Sequence, residues 1–134
     1  MKGNNMKLKA DFVTNSSSTS FVAWGILKED YQFKKEYDKE LVILHNEDNP
    51  ENPALTTETL EMYELGELVC KGNDLINYHD YDGDCIQIGI SPFQMKDDET
   101  VSQLKERVVK QLKEKGIIIT IDEVTSQTYC GYNG

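Results

Sequence analysis

A chain of 134 residues and 15.3 kDa is the size of one domain, able to bury about two-thirds of its unfolded surface. Its formal net charge of −10 excludes ready binding to DNA, RNA or anionic lipid, all of which would repel it. The charge is uneven: residues 29–67 hold twelve acids against Lys34, Lys35 and Lys39, a net −9, whereas residues 1–28 carry +3 and residues 101–134 carry +1.

After a loose start over residues 1–6, Leu8, Ala10 and Phe12 alternate with Lys7, Lys9 and Asp11, the period of a half-buried strand. Phe21 to Leu27 is apolar without a break and rich in aromatic and β-branched residues, which predicts a strand covered on both faces. Between them Asn15, Ser16, Ser17, Ser18, Thr19 and Ser20 carry no charge. Such side chains bond their own backbone, so a hairpin connection is one reading. The other is an anion or nucleotide site at Asn15, Ser16, Ser17, Ser18 and Thr19, built from hydroxyl and amide donors. The run lacks the glycines of a phosphate-binding loop, and no Lys or Arg lies between Lys9 and Lys28.

The whole stretch Asp11-Phe-Val-Thr-Asn-Ser-Ser-Ser-Thr-Ser-Phe21 resembles a motif that opens many small uncharacterised proteins of Gram-positive bacteria and their phages. A second block, Ile88-Gly-Ile-Ser91 followed by Lys96-Asp-Asp-Glu-Thr100 and a helix, is similar to one found in the same proteins. The resemblance implies a bacterial or phage origin and a cytosolic life. It carries over no catalytic residue.

Further along, Phe33, Tyr37 and Leu41 fall at i, i+4 and i+8, predicting a short helix from Lys28 to Lys39, with Leu41 to Leu44 as a brief strand. Asn46 to Ala54 holds two prolines and three acids, a loop long enough to move. Thr57 is the expected N-cap of a helix running to Cys70 and stopped by Lys71-Gly72-Asn73. Met62, Leu65, Leu68 and Val69 would face the core, leaving Glu58, Glu61, Glu64 and Glu67 as an acidic ridge.

Leu75 to His79 and Cys85 to Ile90 read as a hairpin turning at Asp82-Gly83. Asp80, Asp82 and Asp84 have half the look of a calcium loop, but the glycine is misplaced and Ser91 stands at the twelfth position, so no metal is expected. Asp97 or Asp98 should cap a long helix from Glu99 to Lys115, ended by Gly116 and followed by a strand over Ile117 to Ile121. A strand, a long helix and a strand predict a parallel crossover. Tyr129 and Tyr132 would tuck the tail against the sheet.

Cys70, Cys85 and Cys130 show no paired spacing, which predicts three free thiols in a reducing cytosol. The first residues hold no apolar signal segment, and no apolar run reaches about 20 residues, so a cytoplasmic protein without a membrane span is expected. His45 and His79 are the two histidines, and no nucleophile elbow or paired base accompanies the serines.

Together these features predict a single α+β domain over residues 1–134, a mostly antiparallel sheet carrying two or three helices and a C-terminal βαβ unit. The expected function is non-catalytic and without a cofactor. A protein partner with a basic surface would bind at Glu58, Glu61, Glu64 and Glu67, with a phage counter-defence inhibitor as one form of that role. The alternative is a nucleotide sponge using the Ser-rich loop.

Overall fold

The computed structural model describes residues 22–80 and 84–128. The Leu8–Phe12 strand, the Asn15–Ser20 run, the Asp82-Gly83 turn and the tail tyrosines of the sequence reading lie outside the described residues. Four strands, β1 (Val22–Glu29), β2 (Ile76–Asp80), β3 (Cys85–Ile90) and β4 (Thr125–Thr128), form an antiparallel sheet ordered β2-β3-β1-β4. With the four α-helices described below, this is a single-domain α+β fold.

Register decides which residues meet the helices. Trp24 lies opposite Ile90 and Ile26 opposite Ile88, so alternate residues of both strands share one face, where Ile26, Ile86, Ile88 and Ile90 enter the core. The opposite face brings Gly25 against Gly89. The two backbones approach so closely that a Cβ on Gly25 would strike the Ile88 carbonyl, and one on Gly89 the Trp24 carbonyl. β1 is not covered on both faces throughout, because Leu27 is 48 % exposed. An unbroken apolar run records propensity, not what packs on each side.

Two helices follow β1: α1 (Asp30–Glu36) and α2 (Asp38–Asp48), broken at Tyr37 where φ is −122° and ψ 28°. The Phe33, Tyr37, Leu41 stripe therefore spans both, with Phe33 and Leu41 fully buried. Leu41–Leu44 is helical and not a strand. So short an apolar run fits either state, and burial of Leu41 one i+4 step beyond Tyr37 continues the helical stripe. α3 (Met62–Val69) buries Met62, Leu65 and Val69. It starts five residues after Thr57, the cap expected from sequence.

The longest helix, α4 (Val101–Glu114), is opened by Thr100 and not by Asp97 or Asp98. Gln103 N–H donates to Thr100 Oγ1 at 3.1 Å while Thr100 N–H donates to Gln103 Oε1 at 2.9 Å, a reciprocal box that a lone aspartate does not offer. At its other end Gly116 adopts φ 88°, and the amides of Gly116 and Ile117 reach back to the carbonyls of Lys113 and Leu112. Leu104, Val108 and Leu112 are buried along its inner stripe.

The strand expected over Ile117–Ile121 is not formed. Ile117 and Ile119 are buried and Ile118 exposed, the burial rhythm of a strand, yet no ladder engages them. Instead a 3-10 turn at Ile121–Glu123 leads into β4, which pairs antiparallel with β1. Since β3 and β4 are both antiparallel to β1, they run the same way with β1 between them, and α4 spans the connection. The crossover partner thus lies later in the chain and is not hydrogen-bonded to β3.

Cys70 is a free thiol, but Cys85 is disulfide-bonded, against the expectation of three free cysteines. Cysteine spacing carries no information on which strand end meets which segment in space.

Candidate functional site

The loop between α2 and α3 is built on side chains of α2. Asn46 donates to the Ala54 carbonyl at 3.2 Å and accepts from the Ala54 amide at 2.8 Å, so its carboxamide acts as a strand partner. Asp38 Oδ1 accepts from Thr57 Oγ1 at 2.6 Å, Thr57 N–H at 2.9 Å and Thr56 Oγ1 at 3.2 Å. The Thr57 hydroxyl and then its amide hold the Asp38 carboxyl below its ordinary value of 3.8. Asn49 binds the His45 carbonyl, and His45 Nε2 lies 3.2 Å from the Asn52 carbonyl. A segment that reads as a mobile loop is pinned at four points.

Thr57 is therefore an anchor and not a helix cap: it is 1 % exposed and spends its hydroxyl on Asp38. That moves the acidic residues. Glu58 lies in the turn before α3, Glu61 takes the N-cap position without a side-chain cap bond, and Glu64 and Glu67 project from the helix. Three residues turn an α-helix by about 300°, some 60° short of a full turn, so Glu64 and Glu67 stay neighbours on one side of the helix. All four are exposed, and none makes an ion pair among the described residues. From Asn46 to Glu67 there are seven acids and no lysine or arginine.

Two other polar clusters are closed on themselves. Arg107, the chain's single arginine, forks onto Glu99 at 2.7 and 2.9 Å and onto Asp74 Oδ2 at 2.6 Å, and also donates to the Gln94 carbonyl. Gln111 ties Asp74 through both its amide and its carboxylate. Arg107 holds Glu99 below its ordinary value, and Gln111, then Arg107, do the same for Asp74. The depression of about 400 Å³ above this cluster is lined by Lys96, Lys110, Glu106 and Glu114 with the network at its base. Its lining carries four carboxylates against three cations, so no positive field draws an anion to it.

In the second, His79 Nε2 lies 2.6 Å from Asp30 Oδ2, with the imidazole almost wholly buried. The pair bridges the β1–α1 junction to β2, and the Asp30 amide donates to the Asp84 carbonyl. No local pattern names Asp30 as the partner of His79, since the two lie 49 positions apart.

The alternative site at Asn15, Ser16, Ser17, Ser18 and Thr19 lies outside the described residues, as does Asp82 of the half calcium loop. Asp80 is buried at the end of β2, and Asp84 sits at φ 52° on the turn. No helix of the described residues is long and apolar enough to cross a membrane. No protein-family model, curated protein or solved structure matches the chain. Sequence reading overlooked Asp38 and Leu55; the signal for the first was an acid 18 and 19 residues from two threonines, which no local pattern reveals.

Proposed function

We propose that the chain is a non-catalytic binding protein whose acidic surface around Glu58, Glu61, Glu64 and Glu67 engages a protein with a basic face. The observation that carries this reading is four exposed carboxylates that make no ion pair among the described residues, on a stretch of seven acids and no base, held by a pinned loop. Carboxylates arranged in this way suit a groove that otherwise receives phosphates, so a nucleic-acid-binding protein is the favoured partner. With the resemblance of Asp11–Phe21 to phage proteins, a cytoplasmic counter-defence inhibitor is the concrete form of the proposal. The commitment of the single arginine to Asp74 and Glu99 weighs against a nucleotide sponge, which would lack a bidentate phosphate ligand.

Capture from a lysate of a Gram-positive bacterium, comparing wild type with Glu58→Lys, Glu61→Lys, Glu64→Lys and Glu67→Lys combined, tests the proposal. The partner is expected to associate fast at low salt, to weaken strongly at high salt, and to be lost on charge reversal while circular dichroism stays unchanged. Binding indifferent to both salt and reversal would overturn it.

A further inference from the structure

We infer that Leu55 is the apolar anchor of this docking surface, seated in an apolar pocket of the partner with Lys or Arg around its rim. The inference rests on the acidic reading above and adds to it the residue that supplies contact energy. A single exposed leucine is ordinary on a protein surface. Leu55 is set apart by the way the chain holds it. It is 98 % exposed, well beyond Tyr31 at 72 % and Phe93 at 70 %, the next most exposed large apolar residues among those described.

Its neighbours on both sides are tied down. Ala54 pairs with the Asn46 carboxamide through both its amide and its carbonyl. Thr56 and Thr57 both bind Asp38, and Thr57 is buried. Pro50 and Pro53 restrict the approach to the same point. The backbone flanking Leu55 is thus fixed by α2, while its side chain touches water on nearly every side. Anchors held in this way lose little conformational freedom on binding, which is how a small contact area yields affinity.

Charge selects the occupant. A second copy would bring another −10 chain, and another stretch with no base, against the first. A lipid surface would meet seven acids and no lysine between Asn46 and Glu67, the reverse of what holds a helix or loop on a membrane. A basic protein with an apolar pocket satisfies both features at once. Glu51 and Glu58, exposed three or four residues from Leu55, would then lie over the basic rim.

The test uses the full chain with the photo-reactive residue benzoylphenylalanine in place of Leu55, or in place of Glu61, irradiated in a lysate of a Gram-positive bacterium. A discrete adduct is expected from position 55. Excess unlabelled wild type should suppress it, Leu55→Ser should need roughly ten to a hundred times more protein to do so, and Leu55→Ala should fall between. Peptide mapping should place the cross-link in an apolar pocket flanked by Lys or Arg. An adduct from position 61 but none from 55, or equal competition by wild type and Leu55→Ser, sinks the anchor and leaves the acidic reading standing. No competed adduct from either position sinks both. Unchanged circular dichroism of Leu55→Ser separates lost contact from lost fold.

Discussion

The two acidic regions of this protein use their carboxylates in opposite ways. Around α4, Asp74 and Glu99 converge on Arg107, with Gln111 also on Asp74, and both carboxylates are spent on holding the Leu75 and Gln94 loops to the helix. Around α3, Glu58, Glu61, Glu64 and Glu67 are exposed and make no ion pair among the described residues, while Asp38 is drawn into the fold and Asp48 pairs with Lys71 at 2.7 Å. Residue type is the same in both. What differs is the presence of a planar, five-donor cation within reach, and that difference separates carboxylates tied into a network from carboxylates left exposed.

Removing Arg107 should break the comparison most severely. Arg107→Ala leaves Asp74 and Glu99 facing each other without a counter-charge, and the thermal midpoint should fall by roughly 5–10 °C in a calorimetric scan. A midpoint within about 2 °C of wild type would show that the network contributes little. The pH dependence follows from the same groups. Asp38, Asp48, Asp74 and Glu99 all have folded values below their ordinary 3.8 or 4.5. As pH falls, the unfolded chain takes up protons first, so this stability is fully present above about pH 5 and is lost as pH drops through 4.5 and 3.8 toward the lower folded values. In urea titrations the Arg107→Ala protein should show a shallower acid limb than wild type.

A smaller effect sharpens the other side. Thr57→Val keeps shape but deletes the 2.6 Å bond to Asp38, at a cost of about 1 kcal/mol. Amide exchange over residues 50–60 should accelerate, with the α4 network untouched; unchanged exchange would mean that the other three ties suffice. The smallest expected change is in the acidic row itself. Converting Glu58, Glu61, Glu64 and Glu67 to Gln should leave the midpoint within about 2 °C of wild type or raise it slightly, since no ion pair among the described residues is lost and self-repulsion declines. A clear loss of stability would place these carboxylates in the fold and not at an interface. Burial pushes the Cys70 thiol up to about 12, so thiol reagents at neutral pH should leave it unmodified until the protein unfolds.

Much of the architecture was legible along the chain. Alternation at Ile86, Ile88 and Ile90 marks β3 and the Leu104, Val108, Leu112 stripe marks α4, because apolar side chains that enter the core at a fixed period leave a direct trace in residue order, although Gln87 on the other face of β3 is buried too. The errors fell where local pattern was ambiguous. Leu41–Leu44 was too short to distinguish helix from strand. Ile117–Ile121 had the rhythm of a strand without a neighbour to pair with. Thr57 had the chemistry of a cap but bonds the half-buried Asp38 carboxylate instead.

The sequence by itself determined the α+β class, the acidic middle of the chain, the helix-ending glycines and the exposure of Glu58, Glu61, Glu64 and Glu67. Each follows from properties that act over a few residues: periodicity, backbone freedom at glycine, and the cost of burying an unpaired charge. Only the tertiary structure decided that β1 separates β3 from β4, that Asp30 meets His79 and that Arg107 gathers Asp74 and Glu99. Only there, too, does Asp38 clamp the loop that holds Leu55 in water. These contacts join positions 8 to 49 residues apart, and their partners are chosen by how helices seat on the sheet, a choice that leaves no periodic mark on either segment.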